Sequence, residues 1–181
     1  MQGCDGPYGL ARIPDNLLRE PLEYLRADHD RHRRLCELLG DLAAAEDPAA
    51  DTERGRAAAA FLKRDLPQHA AIETDCLFPR LLRYCPREDH AADLTERLRT
   101  HHSTEALLAA GLVDCLSGVR PSPRTSDRLR QMGPALTQSL RAHLDWENAR
   151  VLRLAARRIP NAELSRFGRE AAAVLGVDFP D

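Results

Sequence analysis

Leu66-x-x-His69-x-x-x-Glu73 returns 74 residues later as Leu140-x-x-His143-x-x-x-Glu147. In each copy leucine, histidine and glutamate fall at steps of three and four, so one helical face carries an apolar residue, an imidazole and a carboxylate in line. A second pair of segments repeats at almost the same offset. Leu25-x-x-x-His29-x-x-His32-x-x-Leu35-x-x-x-Leu39 corresponds to Leu98-x-x-x-His102-x-x-Glu105-x-x-Leu108-x-x-x-Leu112. The chain thus reads as two copies of one helical hairpin, with ionisable residues set into what are otherwise apolar seams.

The seams extend in both directions. On the first helix the inward stripe runs Leu18, Leu22, Leu25, His29, His32, Cys36, Leu39. The second carries Leu62, Leu66, His69, Glu73, Cys76 or Leu77 and Tyr84, and the fourth Leu129, Met132, Leu136, Leu140, His143, Glu147, Val151 and Leu154. Burying an unpartnered polar group costs about 2–7 kcal/mol, and a charge more. A cation would supply the missing partner. The third helix has two adjacent candidates. The repeat selects His102, whereas a heptad-like seam through Leu94, Leu98, His101, Glu105 and Leu108 selects His101; the repeat aligns more positions and favours His102.

Turn signals divide the rest. Pro21 suits the first turn of a helix that Asp47-Pro48 ends. Asp51 or Thr52 can cap a second, stopped by Cys85-Pro86. A third is expected from about Arg87 to Ser117, before Gly118, Pro121 and Pro123. A fourth is expected from Ser126 to Ile159-Pro160, and Asn161 can cap a short fifth carrying Leu164, Phe167, Ala171 and Leu175. Pro67 and Gly133-Pro134 fall inside helices and should kink or loosen them. Short links between long helices imply antiparallel neighbours, hence an all-α four-helix bundle over 21–159. Residues 1–20 read as an irregular lead-in and 160–181 as a short C-terminal helix and tail. Counted from the turns, His29, His69, His102 and His143 lie at matching depth to within one or two residues, about 3 Å at 1.5 Å per residue.

Composition agrees with helices and excludes several functions. The 181 residues hold 43% apolar but only 4% aromatic side chains, and Leu and Ala are strong helix formers. A net charge of −2, with Lys63 as the lone lysine among scattered arginines, points to neither nucleic acid nor an anionic membrane. No apolar run approaches a membrane span. Met1-Gln2-Gly3-Cys4-Asp5 lacks the start of a secretory leader, so cytoplasmic residence is expected. Five cysteines without CxxC spacing make a disulfide framework or thiolate zinc site unexpected.

Two imidazole–carboxylate pairs plus His29 and His102 can serve two cations, with the carboxylates bridging and each ion taking two nitrogens. Such ligands suit iron, manganese or zinc, and the lack of thiolate disfavours structural zinc. Open coordination positions would take water, an oxo or hydroxo bridge, dioxygen, peroxide or nitric oxide. His32 and Glu105, one turn beyond the lone histidines, are candidates for further ligands or for orienting partners, and His101 for a further ligand.

The ordered set His29, His69-x-x-x-Glu73, His102, His143-x-x-x-Glu147 resembles the hemerythrin-like (HHE cation-binding) family over residues 21–159. The resemblance implies an up-down-up-down bundle with a non-haem di-iron centre at those six positions. Ferritin-like proteins use Glu-x-x-His instead, and no histidine here has glutamate three residues before it. Oxygen-carrying hemerythrins typically place an additional histidine one turn before the third-helix ligand, where this chain has Leu98; its absence argues against reversible oxygen transport. The expected functions are therefore a sensor or carrier of a small ligand, a peroxide-decomposing enzyme or an oxidase. An iron-responsive regulatory or interaction module without turnover is the alternative.

Overall fold

The computed structural model describes residues 7–45, 52–117 and 123–180, and within them regular structure is entirely helical. Helix α1 spans Pro21–Ala44, α2 Thr52–Ala71, α3 Phe78–Tyr84, α4 Ala91–Leu116, α5 Pro123–Arg158 and α6 Asn161–Leu175. A π-helical turn, Ile72–Leu77, joins α2 to α3 without a break, and short 3-10 turns occupy Pro7–Gly9, Asp15–Arg19 and Arg87–Asp89. None of these helices is long and apolar enough to cross a membrane. The expected signals at Asp47-Pro48, Asp51, Gly118 and Pro121 lie outside the described residues.

Several boundaries differ from expectation for identifiable reasons. α4 starts at Ala91 instead of near Arg87, because His90 adopts a left-handed conformation (φ 51°) after the Arg87–Asp89 turn. Arg158, the last residue of α5, donates to both oxygens of Asp89 at 2.6 and 3.1 Å and pins that turn. α5 begins at Pro123 and not at Ser126, since proline's fixed φ suits a first helical turn and its missing N–H is not needed there. Asn161 does not cap α6. It is the first helical residue, behind an extended Pro160 whose place carries no side-chain cap. Pro67 and Pro134 lie within α2 and α5, which continue through them.

The irregularity that Pro67 led us to expect appears instead at Ile72–Leu77. Phe78 N–H bonds the carbonyl of Glu73, five residues back. Pro79 has no N–H with which to restore the four-residue repeat. The Arg80 guanidinium then reaches back to the Cys76 carbonyl at 2.6 Å, and holds the Glu170 carboxylate through two bonds of 2.7 and 2.9 Å and the Glu163 carbonyl at 3.1 Å. α6 is thereby fastened to the π-helical turn that carries Glu73.

Contacts divide the chain into two compact units. One comprises Met1–Arg12, Asp30–Pro67 and Ser103–Ala142. Its core is built from Leu35, Leu39 and Leu42 of α1, Phe61 and Leu62 of α2, Leu112 of α4 and Leu136 and Leu140 of α5. A buried Arg31–Asp65 pair lies in the same unit, with the guanidinium 4.9 Å from the Phe61 ring centre. The other unit comprises Ile13–His29, Gln68–His102 and His143–Asp181. There Leu18, Leu25, Leu77, Phe78, Leu98, Val151 and Phe167 form the core. Phe167 and Ala171 of α6 are buried in it, with Leu164 and Leu175 at its edge. The first core draws on α1, α2, α4 and α5, and the second on α1, α3, α4, α5 and α6, which is consistent with a four-helix bundle. Burial raises the thiols of Cys36 and Cys76 to about 11, so both act as small apolar groups.

Gly168 marks where α6 crosses the Asp15–Arg19 turn, and a Cβ there would stand 2.0 Å from the Leu18 carbonyl oxygen. Gly40, on an exposed stretch of α1, has nothing within 4 Å. Thermal denaturation should therefore separate two identical substitutions. Gly168→Ala should destabilise by about 1–3 kcal/mol through overpacking, and Gly40→Ala should stabilise by about 0.5–1 kcal/mol by removing a helical glycine. A second expectation concerns acid. Hydrogen bonding from Arg80 holds Glu170 below its ordinary value of 4.5. A depressed folded pKa means the pair's contribution is present above the ordinary value and lost as pH falls through the folded one. The stability gap between wild type and Glu170→Gln, measured by urea titration, should be open at neutral pH and close in acid.

Candidate metal centre

All six residues singled out by spacing fall in the second unit, and their rings and carboxylates meet. His29 comes from α1, His69 from the end of α2, Glu73 from the π-helical turn, His102 from α4, and His143 and Glu147 from α5. Ring centres are 5.2 Å apart for His29 and His69, 5.2 Å for His102 and His143, and 6.4 Å from His69 to each of His102 and His143. Convergence at one depth, inferred by counting residues from the turns, is thus realised. His29, Glu73, His143 and Glu147 have no solvent exposure, and His69 has 1%.

The donor atoms of these six residues fall into two overlapping groups. His29, His69, Glu73 and Glu147 each offer one atom within 4.8 Å of the others, and so do Glu73, His102 and His143. Glu73 belongs to both. Its Oε1 lies 3.1 Å from His69 Nε2 and 3.8 Å from His29 Nε2, and His102 Nε2 lies 2.9 Å from its Oε2. Glu147 Oε2 lies 3.3 Å from His29 Nε2 and 3.5 Å from His143 Nε2. Among the described residues, His29 Nε2, Glu73 Oε1 and both Glu147 oxygens have no hydrogen bond of acceptable geometry despite complete burial. Buried polar atoms are rarely left so.

Electrostatics point the same way. Burial opposes a charge on His29, but the Glu147 and Glu73 carboxylates outweigh it and raise the imidazole from 6.5 to about 9. Burial likewise opposes charge on His69, and Glu73 with Asp28 holds it well above the ordinary value. Burial alone would raise Glu73, yet His69, His102 and His29 keep it well below the usual carboxylate range. Two buried carboxylates therefore draw positive charge onto their neighbours. A cation bound by neutral imidazoles satisfies the same demand with donor types that suit it.

Two residues that spacing did not reveal hold the imidazoles in place. Nδ1–H of His69 donates to Asp28 Oδ2 at 3.0 Å, and Nδ1–H of His29 donates to Asn148 Oδ1 at 3.0 Å. Each bond turns the opposite nitrogen, Nε2, toward the carboxylates. Both partners sit beside a seam residue, at positions where a mid-helix Asp or Asn is a poor helix former. That is the only local sign of them. Phe78 stacks on His102 at 6.1 Å with planes 6° apart.

The remaining candidates have other surroundings. His101 is half-buried and stacks on His143, centres 5.2 Å apart and planes 14°. Among the described residues the donor groups include His102 and not His101. His32 and Glu105 belong to the first unit, where His32 meets the Phe61 ring edge-on at 4.9 Å and Ser139 donates to Glu105 at 3.2 Å. Leu98, where an oxygen carrier would have its additional histidine, is fully buried in the second core. Trp146, beside Glu147, packs against that core under the Arg97 guanidinium, 4.4 Å from the ring centre.

Replacing Asn148 with leucine strands the buried Nδ1–H of His29, at a cost of about 1–3 kcal/mol. Metal-free Asn148→Leu should melt lower than wild type while Asn148→Asp, which keeps the acceptor, should not show that loss. Equal melting of the leucine variant and wild type would contradict the hydrogen bond's role.

The sequence model of the hemerythrin HHE cation binding domain matches residues 20–155, about three quarters of the 181-residue chain. No curated protein and no solved structure gives a significant match. A family pattern spanning most of the chain, together with its histidines and glutamates gathered in one buried cluster, gives a single assignment: the chain belongs to the hemerythrin HHE cation-binding domain family.

Proposed function

We propose that the protein is a non-haem di-iron protein that binds or processes dioxygen, peroxide or nitric oxide. The observation that carries this reading is the buried cluster of imidazoles and two carboxylates with unsatisfied atoms on His29, Glu73 and Glu147. His29, His69, His102 and His143 would be terminal ligands, and Glu73 and Glu147 would bridge. Family membership supports a cation at this place. Imidazole and carboxylate without thiolate suit iron. An up-down-up-down arrangement of α1, α2 with α3, α4 and α5 belongs to the same reading.

Iron in such a site supplies electrons and open coordination positions for a small oxidising ligand. The chain's own part is fourfold. Asp28 and Asn148 fix the tautomers of His69 and His29 so that Nε2 is the ligating nitrogen. Glu73 and Glu147 provide the negative charge that holds two cations close together. Leu25, Leu77, Phe78 and Leu98, all fully buried, keep bulk water from the cluster's unit. His101 and His102 are only half-buried, so a small ligand would reach the cluster from their side. Cytoplasmic residence fits this picture, since the four described cysteines are all free thiols and thiols persist in a reducing compartment.

Metal analysis of natively isolated protein tests the reading. About two irons per chain are expected, with charge-transfer absorption that changes when peroxide is added anaerobically. Glu73→Ala combined with Glu147→Ala should abolish metal uptake while the far-ultraviolet circular dichroism stays helical. Two zincs and no iron, or a full iron complement in the double variant, would overturn it. A metal-dependent rise in melting temperature with no spectral response to oxygen, peroxide or nitric oxide would instead favour an iron-responsive interaction module.

A further inference from the structure

From Asn148 to Arg158 helix α5 holds four arginines and no acidic residue, in a chain whose net charge is −2. Trp146, Arg150, Arg153 and Arg157 follow at steps of four, three and four, so they share one helical face, about 16 Å long at 1.5 Å per residue. The three arginines are exposed and Trp146 is half-buried. α4 adds the exposed Arg97, whose guanidinium lies 4.4 Å from the Trp146 ring centre. Several exposed arginines elsewhere meet a carboxylate, as Arg34 does at Glu37, Arg64 at Asp65 and Arg166 at Glu163. Among the described residues Arg97, Arg150 and Arg153 form no ion pair, and Arg157 reaches Asp89 only at 3.9 Å. The face adjoins the half-buried side of the metal centre. Arg97 stands one turn before His101 on α4, Trp146 one turn after His143 on α5, and the rings of His101 and His143 stack with centres 5.2 Å apart.

Arginines gathered without counter-charges repel one another and draw an anionic surface from solution. The chemistry of the face narrows which surface that is. The exposed large apolar side chains of the described residues are Tyr8, Leu82 and Leu107, and none lies on it, so it lacks the apolar side by which a helix enters a membrane. Trp146 packs against the second core and beneath Arg97, which takes the ring face that a stacked base would need. A small, charge-dominated face instead suits a transient, electrostatically steered encounter, the class to which electron-transfer complexes belong. We propose that Arg97, Arg150, Arg153 and Arg157 form the docking face for a small acidic electron-carrier protein with an iron–sulfur or flavin centre. The electron's destination rests on the metal-centre reading above; the docking does not. Each encounter would oxidise the carrier's centre by one electron and reduce one ferric ion to ferrous, with no bond made or broken.

Anaerobic stopped-flow mixing of the oxidised, natively isolated full-length protein with a reduced plant-type [2Fe–2S] ferredoxin tests this. The wild-type rate should fall at least about ten-fold between about 10 mM and about 0.3 M salt. Arg150→Glu combined with Arg153→Glu should lower the low-salt rate at least about ten-fold, while iron content, melting temperature and reduction by an uncharged hydroquinone stay at wild-type values. Arg124→Glu combined with Arg128→Glu makes the same change of net charge at the other end of α5 and should cost under about three-fold. Docking is read separately, by amide shifts of the metal-free chain on adding oxidised ferredoxin, which should cluster between Trp146 and Arg157 and vanish in the Arg150/Arg153 variant. Equal rates for that variant and wild type, or equal losses in the two double variants, would overturn the proposal. So would amide shifts with duplex DNA or phosphatidylserine vesicles at physiological salt and none with ferredoxin. Docking that the variant abolishes, in protein isolated without iron, would uphold the face and overturn the metal-centre reading instead.

Discussion

Two carboxylates, Glu73 and Glu147, stand in a helical core with no exposure, and the rest of the structure answers to that constraint. A buried, unpaired carboxylate costs several kcal/mol. Imidazoles close by are a partial answer, and they draw protons strongly enough that His29 titrates near 9. Cations are the fuller answer, since they satisfy oxygen atoms that no hydrogen bond reaches. Every feature nearby serves the same demand. The Asp28 and Asn148 bonds aim His69 and His29 inward, the π-helical turn presents Glu73, and Arg80 ties that turn to α6.

The π-helical turn shows how local sequence chemistry and site geometry join. Pro79 removes the donor that would restore the regular ladder, so the five-residue bond from Phe78 to Glu73 forms there. Such turns persist when something outside the helix stabilises them and are frequent at functional sites. Here Arg80 satisfies the Cys76 carbonyl and anchors to Glu163 and Glu170. The short last helix is thus part of the support for the segment that carries Glu73, well before it in the chain.

Much of this was legible in the sequence because helix periodicity is a strong signal. Leu18, Leu25, Cys36, Leu39, Leu62, Leu136, Leu140, Val151 and Leu154 were placed on inward stripes and are buried. The four imidazoles were expected at one depth and lie within 6.4 Å centre to centre around His69 and between their pairs. What was not legible depended on long-range partners. Asp28 neighbours a seam residue, so helical spacing puts it on the flank, and its partner His69 is 41 residues away. Asn148 is 119 residues from His29. The late start of α4 comes from Arg158 holding Asp89, a contact no local rule anticipates. Pro79, beside the π-helical turn, was not singled out, whereas Pro67, expected to kink or loosen its helix, proved compatible with continuous helix.

Anomalous diffraction from crystals of natively isolated protein, recorded on both sides of the iron absorption edge, tests the central claim most directly. The account predicts iron-specific peaks bounded by Glu73, Glu147 and the Nε2 atoms of His29, His69, His102 and His143. No peak at that place in protein shown to contain iron, with the two carboxylates meeting only protonated imidazoles, would contradict it.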